Sequence, residues 1–129
     1  MPNPDQFTAL GKHQTTFTKL DIFDRPEHVV EVILVGEELT AYCPITQQPD
    51  FYRYEVRYRP VTACIESKTF KLLMGSFRDQ AAFAETLASD IARIVHDATG
   101  AAVDVILTQQ VRGGISITAK ASIPRPSAS

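Results

Sequence analysis

Residues 51–59, Phe-Tyr-Arg-Tyr-Glu-Val-Arg-Tyr-Arg, alternate without a break: Tyr52, Tyr54, Val56 and Tyr58 turn one way, Arg53, Glu55, Arg57 and Arg59 the other. Successive side chains of a strand point to opposite faces, so the pattern predicts a half-buried strand with one face on a core. Upstream, Val29-Val-Glu-Val-Ile-Leu-Val-Gly36 is β-branched and nearly continuous, a second strand. Between the two, Tyr42-Cys-Pro-Ile-Thr-Gln-Gln-Pro-Asp50 holds two prolines and little periodicity, which predicts a loop. Downstream the period changes. Ser67–Phe77 spaces Phe70, Leu73, Met74 and Phe77 as a helix does, and Asp79 or a neighbour is expected to break it. Ala81–Ala98 sets Phe83, Leu87, Ile91 and Ile94 on one stripe with Ala88 and Val95 beside it. Gly100 stands where a glycine ends such a helix. Val103–Val111 alternates in part and Ile115–Ile123 more cleanly, and Arg112-Gly113-Gly114 between them suits a hairpin turn or a bulge. The order is ββααββ. Strand pairs flanking two helices predict an α+β domain, an antiparallel sheet with both helices on one face.

The chain of 129 residues suits one domain, since domains commonly run about 100–200 residues. Residues 28–126 are expected to form it. Residues 1–27, polar and carrying Pro2, Pro4 and Pro26, read as an arm docked on the body or on a neighbouring chain, and 127–129 as a frayed tail. Hydrophobic residues at 44% and charged residues at 22% are ordinary globular values and exclude a disordered chain. A net charge of −2 argues against a nucleic-acid partner, which would need a basic surface, while leaving room for one local basic pocket. The N-terminus has no basic region leading into an apolar run, and no stretch approaches the roughly 18–20 apolar residues of a membrane span. A cytoplasmic protein with no membrane partner is expected. Cys43 and Cys64 would be a disulfide, two core thiols, or one core and one reactive thiol; the cytosol disfavours the first. His13, His28 and His96 are far apart and no Cys/His spacing suits zinc, so no metal is expected.

Several residues carry two readings. Cys43 is either a nucleophile, which needs a base or a positive field to hold it as thiolate, or an inert thiol. Asp50, seven residues on, either trades protons with a Cys43 adduct or is a turn residue. Lys68 and Lys71 share a helix face and would grip an anionic ligand together, or form a solvated helix start. Glu66 complements the dipole at that start. Arg112 places a cation beside flexible backbone, which suits phosphate. Glu85 would bind a guanidine-like edge through paired hydrogen bonds, or stand exposed. His96 suits the helix C-terminus.

Taken in order, Cys43-Pro-Ile-Thr-Gln-Gln-Pro-Asp-Phe51, Glu66-Ser-Lys-Thr-Phe-Lys71, Gly75-Ser-Phe-Arg78 and Arg112-Gly-Gly-Ile-Ser-Ile117 resemble the short form of 7-cyano-7-deazaguanine reductase, the queuosine-pathway nitrile reductase QueF. The resemblance spans about residues 28–126, and Glu-Ser-Lys…Lys is the family's signature. It implies the tunnelling fold, in which ββααββ subunits form rings, here a homo-oligomer of pentameric rings or a decamer. It implies that Cys43 attacks the nitrile carbon to give a thioimide, and that Asp50 supplies a proton to the nitrile nitrogen. It implies that Glu85, with Glu66 and Ser67, holds the 7-deazaguanine substrate. Lys68, Lys71 and Arg112 would hold the phosphates of NADPH, which supplies two hydrides to reach the primary amine.

The chain departs from the family pattern at a few positions. Ala84 stands where the reductase has a histidine, Gln47 where a glycine is usual, and Thr69 and Leu73 differ mildly within the signature. Leu87 stands near the place of a second cysteine that pairs with the nucleophile in some members, which leaves Cys64 as a core or edge residue. The alternatives are a thioimide-forming relative that passes the carbon to an amine, giving an amidine, and a non-catalytic deazapurine binder. A domain this small has little room for a base and a dinucleotide together, so sites between subunits are expected.

Overall fold

The computed structural model describes residues 16–127. A four-stranded antiparallel sheet has the order β2-β3-β5-β6, built from β2 (Val32–Tyr42), β3 (Pro49–Arg59), β5 (Ala102–Gln109) and β6 (Thr118–Ile123). A small second sheet pairs β1 (Ile22–Asp24) with β4 (Ala63–Ile65). Two helices, α1 (Ser67–Ser76) and α2 (Ala84–Thr99), fill the interval between β4 and β5, with a 3-10 turn at Phe77–Asp79 after the first. The expected α+β order ββααββ is the frame of the molecule. Among the described residues no helix is long and apolar enough to cross a membrane.

The alternation read in residues 51–59 is the alternation seen. Tyr52, Val56 and Tyr58 are buried, and Arg53, Arg57 and Arg59 are exposed. Val103, Val105 and Leu107 of β5 continue the buried face, and α2 covers it with Leu87, Ala88, Ile91, Ala92 and Val95. The spacing of those five residues is one helical stripe, which is why α2 lies along the sheet. Gly100 ends α2 at φ 69°, a left-handed conformation that costs a glycine nothing, and its N–H donates to the His96 carbonyl at 2.7 Å. Gly36 gives β2 a different service. A bulge between Gly36 and Leu39 interrupts the β2–β3 register, and the Tyr54 ring lies where a Gly36 Cβ would be.

Several boundaries differ from expectation. The first long strand runs on to Tyr42 instead of ending at Gly36, because the bulge lets Leu39 and Ala41 turn into the core beyond it. β3 begins at Pro49, so Asp50 lies on a strand, opposite Ala41, and not in a loop. Proline has no N–H to contribute and is tolerated as the first strand residue. α2 begins at Ala84, not Ala81, because residues 80–82 are held as extended chain against the end of β2. There Tyr42 N donates to Gln80 O at 2.8 Å and Ala82 N to Tyr42 O at 3.1 Å. Phe83 therefore precedes the helix and is 51% exposed instead of belonging to its buried stripe. β5 and β6 stop short of the turn between them. Arg112 and Ile115 exchange backbone hydrogen bonds across Gly113 and Gly114, both at positive φ, which is a two-residue hairpin turn.

β1 and β4 lie outside the predicted ββααββ order, and β1 belongs to the arm. Of residues 1–27, positions 16–27 are described, and within them β1 pairs with β4 in the register Phe23↔Cys64. Arg25 reinforces the join by donating to the carbonyls of Val61, Glu27 and Val29. The rest of the arm and residues 128–129 of the tail lie outside the described residues.

Candidate active site

At the β2–β3 turn the chain makes a tight loop. Cys43 N donates to Gln48 O and Gln47 N to Cys43 O, each at 2.9 Å. The loop needs one residue in the left-handed region, and Gln47 takes it at φ 58°. A glycine would hold that conformation without the Cβ penalty, which is the physical content of the departure noted at this position. The side chain that the loop presents is Cys43, partly exposed and not in a disulfide. Its thiol is held below the ordinary cysteine range, first by a hydrogen bond from the Thr46 side chain, then by the backbone N–H groups of Thr46 and Ile45. Burial and, after it, the charge of Asp50 oppose this.

Asp50 follows on β3 and is buried, and its carboxylate accepts a hydrogen bond from Arg112 Nη1 at 2.5 Å. Arg112 reaches it because β3 and β5 pair in the register Tyr52↔Gln109, with Gln110 N donating to Phe51 O, so the hairpin turn after β5 lies beside the start of β3. Arg112 also approaches the Gln48 side-chain oxygen at 3.5 Å. Its side chain remains 42% exposed, against 7% for Asp50. These residues enclose a cleft of about 490 Å³, whose lining includes Cys43, Asp50, Tyr52, Ala84, Glu85 and Arg112. Glu85 enters from the first turn of α2, where a carboxylate is favoured by the helix dipole. A weakly held thiol proton, two carboxylates and a guanidinium around a cleft of that size can hold a small polar ligand and present a nucleophile to it.

Four of the eight residues singled out in the sequence thus meet: Cys43, Asp50, Glu85 and Arg112. The other four lie at the start of α1 and outside this lining. Glu66 is buried, and its carboxylate oxygens accept the backbone N–H groups of Lys68 at 2.5 Å and Thr69 at 3.0 Å, which makes it the N-cap of α1. Ser67 and Lys71 are exposed, and Lys68 is half-buried. Cys64 lies on β4, buried, its thiol pushed up by burial, and is no part of the cleft. Among the lining residues not singled out as site residues are Thr46, which lowers the Cys43 thiol, and Tyr52, which walls the cleft. Tyr52 carries a sequence signal: two residues from Asp50 on one strand, it must share its face.

Residues 49–128 match the family described as QueF-like protein. That segment holds Asp50, Lys68, Lys71, Glu85 and Arg112 and begins after Cys43. Among similar proteins, the NADPH-dependent 7-cyano-7-deazaguanine reductase of Syntrophus aciditrophicus (strain SB) is 34% identical over 124 residues, covering 94% of this chain and 89% of the relative. The reductase of the same name from Anaeromyxobacter sp. (strain Fw109-5) is 37% identical over 92 residues, 70% of this chain and 75% of the relative. Among solved structures, the apo form of the archaeosine synthase QueF-Like superposes with a TM-score of 0.68 at 26% identity, covering 72% of this chain and 92% of that one. The fold is the tunnelling fold. By sequence match over most of its length and by architecture, the chain belongs to the QueF family.

Proposed function

We propose that the protein reduces the nitrile of 7-cyano-7-deazaguanine to the aminomethyl product, through a thioimide on Cys43 and with NADPH as reductant. The observation that carries the reading is the meeting of Cys43, Asp50, Glu85 and Arg112 around one cleft. Glu85 accepts hydrogen bonds from the guanidine-like edge of the base and sets its nitrile toward Cys43. The Cys43 sulfur adds to the nitrile carbon: a C–S bond forms, one π bond of the nitrile opens, and its electron pair passes to nitrogen. The Asp50 carboxylate takes the thiol proton and hands it to that nitrogen, so the sum is addition of S–H across C≡N. Arg112 holds the Asp50 carboxyl group in place through its Nη1 hydrogen bond.

NADPH, when bound, supplies the hydrides that carry the carbon to the amine level and release Cys43. The cationic side chains present fit its phosphates: Lys68 and Lys71 share one face of α1, and Arg112 is partly exposed at the cleft mouth. Lys68 and Lys71 lie outside the cleft lining of their own chain, which supports a site completed by a neighbouring subunit. A homo-oligomer is also supported by the far face of the sheet, where Ile33 and Val35 are exposed.

A second reading, transfer of the nitrile carbon to an amine with formation of an amidine, is favoured by the likeness to the archaeosine synthase and by Ala84 in the cleft. One experiment separates them. The protein is mixed with the nitrile and NADPH, NADPH absorbance is followed, and the intact mass is recorded. Loss of absorbance, with a mass increase by one substrate that Cys43→Ala abolishes, is the expected result. An adduct without NADPH loss overturns reduction in favour of transfer. An adduct that persists in Cys43→Ala removes Cys43 as the nucleophile.

A further inference from the structure

One polar group of the cleft has no part in the chemistry above. Tyr52 is 1% exposed, its ring helps line the cleft, and its hydroxyl is buried with no hydrogen-bond partner among the described residues. Buried hydroxyls are nearly always bonded, because an unmade bond forfeits what water would have supplied. Tyr58, on the same strand face and equally buried, obeys the rule: its Oη accepts the Ile65 backbone N–H at 2.8 Å. Tyr52 instead lies two residues from Asp50, and its hydroxyl is within electrostatic reach of Asp50, Glu85, Cys43 and Arg112. Burial above all, then the negative charges of Asp50 and Glu85, push its pKa up to about 12, so it keeps an O–H to give.

We propose that Tyr52 is a substrate-binding donor, whose Oη–H bonds to a ring nitrogen or carbonyl oxygen of the base held between Cys43 and Glu85. The inference rests on the reading of the cleft as a deazaguanine site and adds a recognition element to it. Oη is closed to solvent, so the acceptor reaches it by displacing a lining side chain; Thr46 and Gln48, both exposed, line the same cleft. That closure favours the ligand. An ordinary donor trades a water bond for a ligand bond and gains little, whereas this one has no water bond to surrender.

Tyr52→Phe removes one oxygen and keeps the ring. In a Cys43→Ala background, which separates binding from bond formation, 7-cyano-7-deazaguanine is titrated calorimetrically with and without Tyr52→Phe, and thermal unfolding of both proteins is recorded. Binding about ten- to a hundredfold weaker, with an unfolding midpoint unchanged or raised, is expected. Equal binding overturns the donor role, and a lowered midpoint with equal binding marks the hydroxyl as structural. If the wild-type protein also fails to bind the base, the deazaguanine reading falls and the donor role with it. Binding by the parent with no change in Tyr52→Phe costs only the latter.

Discussion

Arg112→Ala removes the guanidinium that faces Asp50 and leaves a carboxylate that is 7% exposed without that cation. Two unit charges about 4 Å apart attract by about 4 kcal/mol at an effective dielectric near 20. That is a gross figure, and desolvation and side-chain entropy offset much of it. Fully exposed pairs return about 0.2–1 kcal/mol, while breaking a buried pair costs about 3–5 kcal/mol. This pair is mixed, since Arg112 keeps 42% of its side-chain surface in water. The fitting scale is that of a hydrogen bond to a charged group, and Arg112→Ala should destabilise the fold by about 1.5–3 kcal/mol. Asp50→Asn in the same background removes the stranded charge and should recover at least about 1 kcal/mol. The assay is urea unfolding of the wild type, both single variants and the double variant at one protein concentration, because any assembly would make stability concentration-dependent. A coupling energy under about 0.5 kcal/mol would mean that the two residues act independently, and would refute the account of Arg112 as the group that holds Asp50.

Thr46→Ala should raise the pH at which iodoacetamide alkylates Cys43 at half its maximal rate. Hydrogen bonds from Thr46 are the largest cause holding that thiol low, and removing one favours the protonated, unreactive form. Asp50→Asn should move the same midpoint down, since its charge opposes ionisation of Cys43; a shift of either variant in the other direction contradicts the assignment. Gly36→Ala should cost about 1–3 kcal/mol in urea unfolding, because the added Cβ would come within 2.2 Å of the Tyr54 ring. That ring packs edge-on against Phe70 at a centroid distance of 5.9 Å, so moving it disturbs the contact between the sheet and α1. A loss below about 0.5 kcal/mol would mean that the ring yields freely.

Periodicity carried the frame of the fold because it needs only a few turns or pleats of regular chain to declare itself. The nine residues of 51–59 and the stripe of α2 are long enough; β1 and β4, three residues each, are not. Single residues with one conformational use were also legible. Gly100 closes a helix, as the sequence predicts, and Gly113-Gly114, which suits a hairpin turn or a bulge, forms the turn. Glu66 shows the limit of a motif. Glu66 belongs to a segment that resembles a ligand-binding signature, and what the structure shows for it is the N-cap of α1, its carboxylate taken up by two backbone N–H groups.

The sequence by itself determined the order of the four long strands and two helices, the buried face of β3 and most of the buried stripe of α2, and the choice of candidate site residues. Each of those depends on neighbours one to four residues away, where strand and helix geometry fix who stands beside whom. Which of the groups meet was decided only by the tertiary structure. Arg112 and Asp50 are 62 residues apart and touch because β3 pairs with β5 in one register and no other, a choice made by the packing of whole faces. The same packing left Lys68 and Lys71 outside the cleft and closed the Tyr52 hydroxyl away from every protein partner among the described residues. A hydrogen bond that is missing has no sequence signature, since it is defined by what all the other segments fail to place beside it.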